Sequence, residues 1–561
     1  MSSPKAKSLA WQYFKICEDD CSKAECGICA TKISRGKCKS SYTTSSMLKH
    51  LSTCHQVFEK PDGSKRVNVE STAAAECSSR QPTIVEALSK RKLYDNSHPV
   101  SRCLTSKIGE MIALDFMPYS MVENVGFLRL VKELNARYTI PSRKYFSNTV
   151  VPGIYDKVTN KIKELLKSAV GPICATTDEW TSLQNDSFMS ITSNFLIWNK
   201  GDLHRVTPVL SCSELVGSQT AELLLSEIRR QESEWGVSFA TITSDNASNV
   251  IKALKDGEIF NIRCMAHTLN LIVHDAIRSN IDVKDIVADA RSLIAHYNRS
   301  SRDARALREC QKRLNAPEHK LQQDVSTRWN STYYALERMV EQREVINDMS
   351  FRGIGNTLSP NQWRMASSLI RVLKLFDIAT KEVCTEEATI ASILPVKENL
   401  LKRLEAFIGD SDIYGLDNFL NSLKSGIERR FSVPGNGPQP RDAYFQNQAS
   451  YNRCLLATIL DPRLKLSWCS TINRQEIERL LVTEVKKFAT DSVELYEGTE
   501  LYQSSSSEEA EDSVVFGAPE NAGLVREQVD MDADIVTAVR QYLAAPTLKR
   551  HKSPLVFWPQ Y

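Results

Sequence analysis

The chain has 561 residues, of which 42% are hydrophobic, 25% charged and 8% aromatic, the composition of a soluble globular protein, and about 150 residues per domain allows three to four domains. No run approaches the roughly 18 apolar residues of a membrane span, and MSSPKAKSLA lacks the apolar core of a secretory signal, so no membrane partner is expected. The net charge of +3 conceals a basic first part: residues 1–170 carry 27 Lys/Arg against 16 Asp/Glu, or +11, which leaves −8 for the rest. Such a front end reads either as a phosphate-binding surface or as ordinary solvated faces. Fifteen scattered cysteines suit a reducing compartment, with thiols buried or on metal.

The strongest local signal lies in residues 8–58. Cys26-Gly-Ile-Cys29 presents two thiolates, and His50 and His55 follow on SYTTSSMLKHLSTCH. Zinc takes this mixed sulfur and nitrogen set in a closed structural site. The His-bearing stretch reads as a helix with Met47, Leu48 and Leu51 on its apolar face, ending or tightening near His55. Cys54, four residues from His50, competes with His55 as fourth ligand. Trp11, Tyr13 and Phe14 supply apolar mass, and a unit this small needs the metal as well. SLAWQYFK, the ECGIC knuckle and SSMLKHLSTCH resemble the BED-type zinc finger, a DNA-binding module of chromatin proteins and hAT-superfamily transposases. That resemblance implies duplex DNA as partner, with Lys32, Arg35, Lys37, Lys39 and Lys49 as candidate phosphate contacts. Residues 59–80 are polar and irregular, and read as a linker.

Residues 81–170 show apolar positions at three- and four-residue intervals, the period of amphipathic helices, with breaks expected at Pro118, Pro141 and Pro152. The order of MIALDFMPYSMVENVGFLRLV and YTIPSRKYFSNTVVPGIYD is similar to the segment preceding the catalytic core of hAT transposases, which helps to bind DNA there. Arg143 and Lys144 are the candidate contacts, or they solvate a helix terminus.

Residues 171–279 alternate β-rich runs with acids at their ends: ICATTDEWTS with Asp178, SFMSITSNFLIWN, and FATITSDNASNV with Asp245. An acidic pair on two strands of one sheet can hold divalent metal for phosphodiester chemistry. Other uses are open: Asp245 and Asn246 can cap the following helix, and Cys264, His267 and Trp329 can be core residues. TTDEWTS, TSDNASN, RCMAHTLNL with Cys264 and His267, and DVSTRWNSTYY with Arg328 and Trp329 resemble, in that order, the motifs of hAT transposases. The resemblance implies an RNase H-like core, and makes Asp178 and Asp245 two acids of a catalytic set. Its third acid is a Glu in a phrase that does not occur before Tyr561. Mg2+ is therefore not expected to support catalysis, and the two aspartates read as vestigial.

Residues 280–450 read as the family's all-helical insertion and 451–496 as a return toward the core. Residues 497–535 read as an acidic loop containing SSSSEEAEDS, and 536–561 as the start of a dimerisation region. A homodimer or family-member pairing is expected to be weakened by the missing part of that region. The fold class expected is multi-domain α/β: a zinc-binding BED finger, a helical DNA-binding segment, and an RNase H-like core interrupted by the insertion. The function expected is a nuclear, DNA-binding transcription or chromatin regulator and not an enzyme, with KRK at 90–92 and KRHK at 549–552 as import signals. An incomplete transposase and a protein-interaction scaffold are the alternatives.

Overall fold

A computed structural model describes residues 9–35, 44–55, 93–325, 327–435, 439–468, 474–500 and 521–558. The linker at 59–80, Lys37, Lys39, the KRK signal and the SSSSEEAEDS run lie outside the described residues. The chain divides into two compact units, residues 1–93 with 132–138, and residues 94–131 with 139–561.

The first unit holds a three-stranded antiparallel sheet, β1 (Phe14–Ile16), β2 (Lys23–Cys26) and β3 (Lys32–Ser34), followed by helix α1 (Ser45–Cys54). Phe14 pairs with Cys26, and Ala24 with Ile33. Its core consists of Ala10, Phe14, Ala24, Cys26, Met47 and Leu51, with Trp11, Tyr13 and Leu48 against it. Met47 and Leu51 are four apart on α1, so both face the sheet.

The second unit starts with α2 (Pro99–Leu114), where Pro99 takes the first helical position and His98 Nδ1 accepts from the Val100 amide. Helix α3 covers Val125–Leu134, and α4 covers Val151–Lys167. Pro152 does not break the chain as the sequence suggests. Helical backbone runs from Arg143 to Lys167, and a π-turn at Phe146–Val150 leads directly into α4. Val151 N–H already bonds Phe146 O, five residues back, so Pro152 stands where the regular i−4 bonding is shifted and a proline is accommodated.

The sheet that follows comprises β4 (Ala169–Thr181), β5 (Ser187–Asn199), β6 (Asp202–Val206), β7 (Val209–Leu215), β8 (Phe239–Ser244) and β9 (Phe260–Arg263). The order is β6-β5-β4-β8-β9, with β7 also pairing β5. Strand β4 runs antiparallel to β5 and parallel to β8, and β8 runs parallel to β9. This is the RNase H-like arrangement. Helices α5 (Ala221–Trp235) and α6 (Ser248–Asp256) pack on the sheet through Leu224, Ile228, Val250 and Leu254 against Met189, Ile191 and Ile242. Thr220 caps α5, and Gly236 ends it at φ +67°, a conformation that side-chain-bearing residues resist.

Helices then dominate: α7 (Met265–Ser279), α8 (Ile281–Arg299), α9 (Ser301–Arg313), α10 (Trp329–Glu341), α11 (Arg343–Phe351), α12 (Pro360–Val383), α13 (Ile393–Phe407), α14 (Asp417–Arg430) and α15 (Gln448–Leu460). They share one large core in which Trp329, Trp363, Phe376 and Phe419 are fully buried. Helix α15 returns the chain to the sheet, with Arg453 stacked over Phe260 at 3.7 Å and donating to Thr241 Oγ1 at 2.8 Å.

Of the loop expected over 497–535, residues 497–500 and 521–535 are helical instead, as the end of α16 (Arg474–Glu500) and the first part of α17 (Asn521–Ala544). Ion pairs Glu478–Arg540 and Lys486–Asp532 align these helices antiparallel. Buried Lys465 donates to the carbonyls of Tyr542 and Ala545 at 2.6 and 2.7 Å, and Phe557 and Trp558 pack on Tyr542. The final segment is therefore integrated into the helical core.

Trp329 is 1% exposed and meets Phe376 edge to face, whereas the neighbouring Arg328 is exposed. Trp329→Ala should lower unfolding free energy by about 3–5 kcal/mol in a denaturant titration. Arg328→Ala should stay within about 0.5 kcal/mol.

Candidate functional site

The metal centre is assembled from the end of β2, the turn after it, and α1. The turn is fixed by backbone: Gly27 N–H donates to Tyr13 O at 2.7 Å, Cys26 N–H to Thr31 O, and Ala30 N–H to Cys26 O. This places Cys26 and Cys29 side by side. His50 projects from α1, and His55 is the residue just beyond its end, with its N–H on Leu51 O at 3.3 Å. Five helical residues would rotate the second imidazole well away from the first, so the helix has to stop for both to converge.

His55 Nε2 lies 3.2 Å from Cys29 Sγ, 3.2 Å from His50 Nε2 and 3.6 Å from Cys26 Sγ; His50 Nε2 lies 3.2 Å from Cys29 Sγ. All four donor atoms fall within 4.8 Å of one another, the one such group of three or more metal-binding side chains among the described residues. Tetrahedral zinc with bonds near 2.0 Å to nitrogen and 2.3 Å to sulfur requires donors roughly 3.3–3.8 Å apart. The set fits. The Thr31 hydroxyl and then its N–H, followed by the rings of His55 and His50, hold the Cys29 thiol down at about 6, which favours the thiolate that zinc needs. Cys26, Cys29, His50 and His55 hold a structural zinc ion. Cys54, the competing ligand, is the exposed last residue of α1 and stands outside the group.

The basic candidates divide. Lys32 on β3 and Lys49 on α1 are exposed. The Arg35 guanidinium lies over the Trp11 ring at 5.0 Å and donates to Cys21 O at 2.9 Å, so it helps to hold the finger together. In the second unit, Arg143 sits 3.7 Å from Glu123, and Lys144 is exposed.

The acid pair sits at the carboxyl end of the sheet. Register pairs Thr176 with Thr243; Asp178 lies two residues further on in β4, and Asp245 is the first residue past the end of β8. Both acids therefore lie at the same end of the sheet. Asp178 is exposed, and Asp245 Oδ1 accepts from the Ala247 amide at 3.1 Å instead of capping α6 itself.

A third carboxylate, not singled out in the sequence, adjoins them. Glu179 follows Asp178 on β4 and so points to the other face, where Asn249 Nδ2 lies 3.5 Å from Oε2 and Oε1 is buried without a partner. Burial, then the negative charge of Asp245 and of Asp178, push its carboxyl up to about 7. The DE dipeptide was the available signal, but only the strand register shows what Glu179 meets.

Cys264 and His267 form no metal group with other residues among those described. Cys264 N-caps α7, its N–H reaches Ser244 O at 2.7 Å, and burial raises its thiol. Asn246 Nδ2 donates to Thr268 Oγ1 at 3.2 Å, and Asn270 Oδ1 accepts from the Trp329 amide at 3.1 Å. These motif residues tie the end of β8 to α7, and α7 to the start of α10.

Two outcomes test the site. Cys26→Ser should abolish stoichiometric zinc and the finger's fold, while Cys54→Ser should keep both, as read by metal analysis and proteolysis of the finger. Glu179 binds a proton more tightly folded than unfolded, so its contribution is full below its ordinary value of 4.5 and is lost as pH rises to about 7. Glu179→Gln should remove that decline in a pH series of melting temperatures.

Comparison with known proteins agrees with this architecture. The BED zinc finger family model matches residues 8–56, and the ZBED1 RNase-like helical domain model matches residues 262–372. Zinc finger BED domain-containing protein 4 of Homo sapiens is 30% identical, across 99% of this chain and 47% of that protein. Zinc finger BED domain-containing protein 6 of Homo sapiens is 25% identical, across 82% of this chain and 52% of that protein. The Zea mays protein named "Putative AC transposase" is 24% identical, across 48% of this chain and 35% of that protein. The chain thus spans about half the length of the human relatives it matches. It carries a BED zinc finger at residues 8–56 and an RNase-like helical domain at 262–372, and it is similar along nearly its whole length to a BED-type zinc finger protein and along about half of it to a protein named as a transposase.

Proposed function

We propose that this chain is a nuclear, zinc-dependent binder of duplex DNA that regulates transcription or chromatin and does not cut DNA. The observation that carries the reading is the closed Cys2His2 site, which holds α1 against a small sheet with Lys49 and Lys32 exposed on the same unit. A short helix on a zinc-organised hairpin is a recurrent way to enter a DNA groove, and exposed lysines supply phosphate contacts that position the protein without reading sequence. Lys144 adds a candidate contact on the second unit. The similarity to a protein named as a transposase supports a DNA partner. The KRHK run at 549–552 is exposed throughout, as an import signal has to be.

The absence of cutting rests on the acids. Metal-dependent phosphoryl transfer needs carboxylates converging on the ions. Asp178 and Asp245 lie at the same end of the sheet, but Glu179 points to the other face of β4, and its carboxyl, pushed up to about 7, is only partly ionised near neutral pH. The two aspartates favour one second reading, a transposase completed by acids from elsewhere. Under that reading, Asp178→Asn would abolish Mg2+- or Mn2+-dependent nicking; under ours there is no nicking to abolish, and Asp178→Asn leaves DNA affinity unchanged.

Duplex affinity should fall linearly on a log–log plot against salt, as released counterions require. Cys26→Ser should lower the affinity by roughly tenfold or more in fluorescence anisotropy, since removal of the zinc site unfolds the finger. Undiminished binding by Cys26→Ser would contradict the proposal.

A further inference from the structure

Helix α9 carries a feature that neither the zinc site nor the acidic sheet end explains. Between Arg299 and Arg313 there are six basic and two acidic side chains. Leu307, Cys310 and Gln311 form its buried face. At about 100° per residue, Arg302, Arg305, Arg308 and Lys312 fall on the opposite arc, and all four are exposed, as is Arg299 at the end of α8.

Helix stability accounts for some of these cations and not for others. Arg299 and Lys312 lie in the last turns of α8 and α9, where positive charge complements the helix dipole. Arg302 lies in the first turn of α9, where the same dipole disfavours a cation. Lys312 has Glu318 at 3.7 Å, and Arg313 is engaged by Asp348. Asp303 is taken up by His296. Arg299, Arg302, Arg305 and Arg308 have no ion pair among the described residues; Glu309 is the only acid within the stripe.

We propose that this arginine ridge on α9 is a docking surface for the phosphate backbone of duplex DNA, separate from the finger. It rests on the DNA-binding reading above and extends it to the helical part of the chain. From Arg302 to Lys312 the ridge runs about 15 Å at 1.5 Å per residue, long enough to meet more than one phosphate of a strand. Arginine supplies a planar fork that pairs bidentately with phosphate. A protein partner fits less well, because protein interfaces centre on apolar or aromatic anchors, and no large hydrophobic side chain between Arg299 and Arg313 is exposed. The contacts read charge and spacing, so they add affinity without base preference.

The test uses the full zinc-loaded chain and a labelled random-sequence duplex, with anisotropy between about 50 and 200 mM salt. The triple variant Arg302→Ala/Arg305→Ala/Arg308→Ala should lose at least tenfold in affinity near 100 mM salt, and its log–log salt slope should shrink by about 2 to 3. Its zinc content and melting temperature should match the parent. Arg→Lys at the same three positions should keep the slope, and Glu309→Gln should tighten binding several-fold, a gain that misfolding cannot produce. A triple variant with the parent's affinity and slope, alongside a parent that binds, would overturn the ridge and leave the DNA-binding reading intact. A parent that does not bind duplex would overturn both. Tighter binding by the triple variant would overturn the ridge as a phosphate-docking surface.

Discussion

Four side chains meeting at one point are the constraint on which the amino-terminal unit depends. Among the described residues its apolar core holds six buried side chains, one of them the ligand Cys26. A core of that size does not offset the conformational entropy of ordering the chain around it, so the zinc bonds are part of the folding energy and not an addition to a finished fold. The metal also decides where α1 ends. His55 can reach the ion because the helix stops at Cys54, and that stop sets how α1 lies on the sheet, with Lys49 facing outward.

In the second unit, parallel register has the corresponding role. Pairing of β4 with β8 brings Asp178 and Asp245 to one end of the sheet, and alternation along β4 turns Glu179 toward Asn249. The motif residues downstream serve the frame around this edge. Cys264 and Asn246 fasten the sheet end to α7, and Asn270 fastens α7 to the backbone of Trp329. These motif residues hold the sheet and the helical core together, whatever the acids beside them do.

Much of this was legible in the sequence. The Cys-x-x-Cys knuckle and the His pair have a spacing that only a metal explains, and strand character was plain from β-branched runs closed by Asp, Asn and Gly. What could not be read required a partner in space. Arg35 reads in the sequence as a candidate phosphate contact, and its stacking on Trp11 shows only in three dimensions. Pro152 looked like a break, but a preceding π-turn accommodates it. Trp329 and Arg328 form one motif, yet one is core and the other surface. Glu179 and the arginines of α9 belong to no sequence motif, because burial and helical phase, not residue type, set their significance.

The most direct measurement is duplex binding by the purified chain after zinc is stripped with a chelator and then restored in stoichiometric amount. A finger organised by zinc predicts that affinity falls with metal removal, returns with zinc, and does not return with Mg2+, which prefers oxygen donors to thiolate and imidazole. Binding that is indifferent to zinc would contradict the central claim, and would move DNA recognition to the helical unit alone.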